Sequence, residues 1–328
     1  MTLKTYISAF RLSLYLCFFP LFLSASETPL NNYFRDAEKE FAGKNYNAAY
    51  QLYSEMRDKL RDQNLPKERN RSLWLCAGEQ IVRSLTAMND NEKAAEEYFL
   101  LCRIEPLMSL DTIPLPWFVS LEPENAGTKP RETTAENILD PLQRQKQPSK
   151  TEQTTESPGA ILLAAGILSV SNNPLKQQTG KQQLRQLAAS LETEDPAEDA
   201  AEKNAAKENI PKEKNNLLKQ RRQEAALLAR VLLWKEQIPL LKTKNDLLPM
   251  KRLLEKISEP QRAGAYFLLG NAARQAGQQE EAVLFWMRVP VLYEHDRPLA
   301  AEALRETAAE LKKMGRNGQA EMLLNKVP

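Results

Sequence analysis

From Asn216 onward the apolar residues of the chain return at the spacing of one helix face. Leu217, Leu218, Ala225, Leu228, Val231, Leu232 and Trp234 build a broad apolar stripe, with charged and amide residues filling the other side. Asn216 stands where a helix cap is wanted, and Pro239 removes a backbone donor and stops the helix. The stretch from Gly159 to Val170 (GAILLAAGILSV) is different, because it is apolar all round and ends at Asn172, Asn173 and Pro174. It falls short of the roughly 20 apolar residues of a membrane-spanning helix. The pattern therefore predicts the buried first helix of a hairpin. Its partner runs from Leu175 to Leu191, with Leu184, Leu187, Ala188 and Leu191 at helical spacing.

The same pattern divides the chain. Residues 27–120 form a first helical region. Residues 121–157 carry Pro123, Pro130, Pro141 and Pro148 among Thr, Gln, Lys and Glu, and have too few apolar groups to offset their ordering entropy, so they are expected to be a disordered linker. Residues 158–192 form the hairpin just described. Residues 193–215, with the mixed-charge run EDPAEDAAEKNAAKENIPKEK, are expected to be a flexible, solvated excursion, and residues 216–328 form a C-terminal helical region. The apolar segment from Ile113 to Val119 (IPLPWFV) is expected to cover the end of the first region, the alternative being an exposed docking strip anchored by Trp117.

Composition fixes the class. Glycine is scarce, with 11 among 328 residues, and Ala, Leu, Glu, Lys and Gln are abundant. These residues lose little on entering a helix, whereas β-branched runs and hairpin dipeptides are sparse, so the fold is expected to be all-α. The first residues read as a targeting signal. Lys4 and Arg11 precede the apolar run from Leu12 to Leu23, and Ser24-Ala25-Ser26 supplies small residues for cleavage before Glu27. Residues 1–26 are thus expected to be a signal peptide directing export to the periplasm or cell envelope, with an uncleaved anchor as the one route to a membrane. Without Lys4 and Arg11 the chain holds 43 basic and 43 acidic residues, and such neutrality argues against nucleic acid as a partner.

A repeat lies in the last 67 residues. A shift of 38 residues superposes Gly277 on Gly315, Ala282 on Ala320, Trp286 on Leu324 and Val289 on Val327, while Gly270 falls on Ala308 and Ala273 on Leu311. A fixed period of this size signals stacked supersecondary units. Each unit has a physical logic. A first helix carries a small residue (Gly270, Ala308) where its partner must approach closely. Glycine at the turn (Gly277, Gly315) takes a left-handed conformation at little cost. The second helix answers with a small residue (Ala282, Ala320) and then a large one (Trp286, Leu324).

This pattern resembles the tetratricopeptide repeat. Tyr266, Leu269, Gly270, Gly277, Ala282, Trp286 and Val289 stand at the signature spacings in one unit, and Leu304, Ala308, Leu311, Gly315, Ala320 and Leu324 in the next. Ala273 departs from the family's preferred tyrosine, and the connection is four residues longer than the usual 34-residue repeat. The N-terminal region is similar to the same family through Ala37, Tyr46, Ala49 and Tyr53, with Gly43 near the turn. Ile81, Val82, Leu85, Ala94, Tyr98, Leu101 and Pro106 follow around a polar turn at Asn89-Asp90-Asn91. The resemblance implies hairpins stacked into a right-handed solenoid whose first helices line a peptide-binding groove. By position it places Asn271, Arg274, Arg305 and Lys312 in that groove, where they could grip a carboxylate or an acidic peptide. The family's carboxylate-clamp pattern is incomplete, because Phe267 sits where a lysine is wanted. Solvated helix residues are the plainer account of all four.

Little in the sequence carries chemistry. A single histidine, His295, excludes a paired-histidine metal site, and no nucleophile elbow or phosphate-binding glycine loop is present. No cofactor is expected. Cys76 and Cys102 each lie 13 residues from Asn89, so a hairpin would set them level, either as a disulfide or as two small buried residues. The function these observations imply is a non-catalytic scaffold or adaptor that binds a protein partner in the cell envelope. The alternatives are a carboxylate-dependent enzyme acting on envelope polymers and a self-associating assembly component.

Overall fold

The computed structural model describes residues 28–61, 67–113, 135, 157–190, 212–294 and 296–327. The expected signal, nearly all of the expected linker, most of the charged excursion, Pro114–Val119, Leu191 and His295 lie outside these residues. Among the described residues the regular structure is α-helix with short 3₁₀ turns, and no strand occurs. The helices are α1 (Thr28–Ala42), α2 (Tyr46–Arg61), α3 (Lys67–Ala87), α4 (Asn91–Ile104), α5 (Pro158–Ser169), α6 (Pro174–Ala189) and α7 (Lys212–Gln237). After these come α8 (Leu248–Lys256), α9 (Arg262–Gln275), α10 (Gln279–Leu292), α11 (Arg297–Lys313) and α12 (Asn317–Leu324). The protein is all-α.

Four hairpins share one turn. They are α1–α2, α3–α4, α9–α10 and α11–α12, and each turns through a residue with positive φ: Lys44 (65°), Asn89 (63°), Gly277 (73°) and Gly315 (76°). In each, the amide following that residue bonds to the carbonyl four residues before it. The pairs are Asn45 to Glu40 (2.9 Å), Asp90 to Leu85 (2.9 Å), Gln278 to Ala273 (2.8 Å) and Arg316 to Leu311 (2.8 Å). This is the bonding that ends a helix at a left-handed residue and satisfies its last carbonyls. In the first hairpin the left-handed residue is Lys44, one beyond the glycine that the sequence suggested.

Side chains follow the same register. Five residues past each turn stands an alanine with no exposed surface: Ala49, Ala94, Ala282 and Ala320. Nine residues past it, Tyr53, Tyr98 and Trp286 are fully buried, whereas Leu324 is 38% exposed. Seven residues before it a small or β-branched residue (Ala37, Val82, Gly270, Ala308) lets the two helices meet.

The chain forms two compact units, residues 1–77 and 78–328, and the division falls within α3. In the first, Leu30, Met56, Leu60 and Ala77 form a core beneath Tyr33, Phe34, Leu73 and Trp74. The Arg57 guanidinium stacks 5.1 Å from the Trp74 ring, and Asn70 Nδ2 donates to the Leu60 carbonyl (2.8 Å) near the end of α2. In the second unit α5 and α6 form the expected hairpin, with Leu162, Leu163, Ala164, Ala165 and Leu168 buried. Gly180 of α6 faces the α5 backbone so closely that a side chain there would overlap it. Leu184 and Ala188 are buried as expected, but Leu175 is 76% exposed. Helix α7 packs across both helices of this hairpin.

The organisation departs from the sequence reading in two places. The compact units divide at residue 77, not at the proline-rich stretch, because Tyr98 and Cys102 of α4 pack on Ser157–Ala160 at the start of α5. Residues 212–215, assigned to the flexible excursion, are the first turn of α7, so Asn216 lies inside the helix and does not cap it. Lys and Glu are good helix formers, and with Pro211 just before them the charged run extends the helix. Of the two readings left open for Cys76 and Cys102, the structure has no disulfide between them; Cys102 is buried and Cys76 half-buried. The α4 residue that meets α3 at this level is Leu101, which fills the space over Gly78, while Cys102 is directed into the α4–α5 contact.

Candidate protein-binding surface

Helices α9 and α11 are the first helices of the last two hairpins, and the four residues singled out by sequence lie on them. Two of the four are engaged inside the fold. Asn271 Oδ1 accepts a hydrogen bond from Trp286 Nε1 (3.2 Å), fixing the indole in the α9–α10 hairpin. The Arg274 guanidinium stacks 5.0 Å from the centre of the same indole and pairs with the Glu306 carboxylate on α11. Arg274 therefore ties three helices together, and its charge is already answered. The other two face solvent. Arg305 pairs along its own helix with Glu302 (2.9 Å), and Lys312 is exposed. The structure thus brings Asn271 and Arg274 together around Trp286 and leaves Arg305 and Lys312 on the outer surface of α11.

Further ion pairs hold neighbouring elements in register. Lys251 of α8 reaches Glu281 of α10 (2.5 Å), and Arg316, just before α12, reaches Glu280 of α10 (2.5 Å). The first turn of α10 is thereby flanked by α8 on one side and by the start of α12 on the other. These residues escape a comparison at fixed period because they join unlike positions of successive hairpins. A search for opposite charges near each turn would have found Glu280 and Arg316.

Several buried groups have shifted titration. Burial pushes Asp296, at the start of α11, up to about 7. Burial likewise pushes the Cys102 thiol up to about 11, against hydrogen bonds with the Ser157 and Tyr98 hydroxyls and the Ala160 N–H. Tyr98 is raised well above the usual phenol range by the same burial, and its hydroxyl donates to the Ser109 carbonyl (3.2 Å). Glu79 is raised by burial, opposed by the charge of Arg83. A thiol held protonated in this way is a packing group rather than a nucleophile.

A cleft of about 260 Å³ opens between α6 and α7 over Val170, Leu184 and Leu232. Glu236 at its rim binds Lys181 (3.0 Å) and Arg185 (2.9 Å). Burial opposes ionisation of Glu236, but the hydrogen bonds from Lys181 and Arg185 outweigh it and hold the carboxyl below its usual range. Among the described residues no group of His, Cys, Asp and Glu could hold a metal ion, and no helix is long and apolar enough to cross a membrane. No protein-family model matches the sequence, and no significant match occurs among curated proteins.

Proposed function

We propose that the protein is a non-catalytic scaffold of the cell envelope, exported by its N-terminal signal, whose helical hairpins hold a partner protein. The observation that carries this reading is the repeated hairpin. Four hairpins share one turn geometry and one buried alanine in the same register, and three of them a large buried residue nine positions past the turn. A hairpin of this kind cannot bury its own apolar face alone, and stacked hairpins present successive first helices as one surface. The register is that of the tetratricopeptide repeat, and in that arrangement Arg305 and Lys312 meet an acidic or carboxylate-bearing segment. Asn271 and Arg274 act through Trp286 and Glu306, holding α9 and α11 in place.

Site-directed cross-linking tests the reading. A photoreactive residue is placed in the full chain at position 305 or 312, and a control at Glu55, and each chain is irradiated in envelope extract. A discrete adduct from 305 and 312, absent at the control, supports the scaffold and its surface. No adduct at any position overturns it, and an adduct of twice the chain mass replaces it with self-association.

A further inference from the structure

The cleft between α6 and α7 shares no residue with the surface proposed on α9 and α11, and it joins apolar walls to a charged rim. It sits beside a close helix contact. Gly180 of α6 packs on the backbone of Ala165, Leu168 and Ser169, which pins α6 to the end of α5, and α7 lies across both helices. Leu184 and Leu232 are buried at the cleft, whereas Val170 and Leu233, which also line it, are only half-buried. An apolar group laid over these two removes their remaining contact with water. The rim is polar. Among the described lining residues Glu236 is the one acid, and it accepts from two cations, Lys181 Nζ (3.0 Å) and Arg185 Nη2 (2.9 Å). One carboxylate against two cations leaves a positive charge there. It also leaves donors, because an ammonium has three N–H groups and a guanidinium five.

We propose that this cleft binds a medium-chain aliphatic carboxylate, with its chain over Val170, Leu184, Leu232 and Leu233 and its carboxylate at Lys181 and Arg185. Volume sets the chain length. A cavity of about 150 Å³ takes a single benzene ring, so a space of about 260 Å³ takes roughly ten heavy atoms, the size of octanoate. Charge sets the head group. A second carboxylate completes the bonding capacity of Lys181 and Arg185 through charge-assisted hydrogen bonds, without displacing Glu236. An ammonium in the same place meets two cations and one already engaged acid.

Titration of the full chain, labelled with ¹³C in its leucine methyl groups, tests the site by NMR. The Leu184 and Leu232 signals are the readout, assigned from Leu184→Met and Leu232→Met spectra, so amphiphile bound along the apolar run of residues 12–23 is not counted. Octanoate is expected to shift both signals saturably at millimolar concentration. Octylamine, with the same chain and the opposite charge, is expected to bind about tenfold more weakly, and acetate to cause no shift. Arg185, whose side chain is 60% exposed, stands outside the core, and Arg185→Gln is expected to weaken octanoate about tenfold. Leu233→Gln, at a half-buried wall, is expected to weaken it about fivefold. Octylamine binding as tightly as octanoate, octanoate affinity unchanged in both variants, or no saturable shift overturns the proposal. So does a shift caused by an apolar peptide with a free C-terminal carboxylate but not by octanoate, which assigns the cleft to a protein C-terminus. None of these outcomes depends on the partner expected at α9 and α11.

Discussion

Trp286 lies directly against Gly270, so closely that a single added methyl group on Gly270 would overlap the indole nitrogen and its neighbouring carbon. The indole is fully buried and is fixed by Asn271 from below and Arg274 across its face. Gly270→Ala should therefore destabilise the protein although alanine is the better helix former. Overpacking costs about 1–3 kcal/mol, and the helix-propensity gain returns only about 1 kcal/mol. Chemical denaturation of Gly270→Ala should show a lowered midpoint. The double variant Gly270→Ala, Trp286→Leu should recover part of the loss, and strict additivity of the two changes would argue against the contact.

The four turns give predictions of opposite sign. Gly277 and Gly315 hold left-handed conformations with open space around them, so an added side chain meets no neighbour and the cost lies in the backbone alone. Gly277→Ala should lower stability by about 1–2 kcal/mol. Lys44 already bears that strain at φ 65°, and Lys44→Gly should raise stability by up to about 1 kcal/mol. Urea titration of both variants beside wild type separates the two directions.

The hairpins that are most legible in the sequence are those whose turns are glycine. Gly277 and Gly315 announce the left-handed residue, and Ala282, Ala320 and Trp286 then fall into place at fixed distances. Lys44 gives no such signal, because lysine takes a left-handed turn only where the flanking helices impose it; Gly43 beside it drew attention one residue too early. The start of α7 was missed for a related reason. A lysine- and glutamate-rich run is compatible with solvated coil and with helix, and local composition does not distinguish them. The candidate surface was legible only in part. Position placed Asn271 and Arg274 on a first helix, but their capture by Trp286 and Glu306 depends on side-chain directions that a linear pattern does not contain.

The cysteines make a simple chemical case. Cys102 is 4% exposed, hydrogen-bonded to Tyr98 and Ser157, and has its thiol pushed up to about 11. At pH 8 almost none of it is thiolate, so iodoacetamide should leave Cys102 unmodified in the native protein and alkylate it on denaturation. Without reduction, denatured protein should yield both Cys76 and Cys102 as alkylated peptides in mass spectrometry. A peptide pair joined through the two would contradict the structure.

Asp296 sets a pH dependence whose sign follows from its burial. The carboxyl is 6% exposed, sits at the start of α11 and donates no cap to that helix, since its side chain makes no bond to the first-turn amides. Burial raises its pKa in the folded protein to about 7, against an ordinary value of 3.8. Between these values the folded state holds a proton that the unfolded state releases, so this group favours folding fully below about pH 4. That contribution is lost as pH rises to about 7, at up to about 1.4 kcal/mol for each pH unit. Asp296→Asn removes the titration while keeping a residue suited to the start of a helix. The variant should gain thermal stability over wild type at pH 7.5, and the gain should shrink toward pH 4. A wild-type to variant difference in Tm that stays constant from pH 4 to pH 7.5 would mean that Asp296 is ionised in the fold and finds its stabilising partner there.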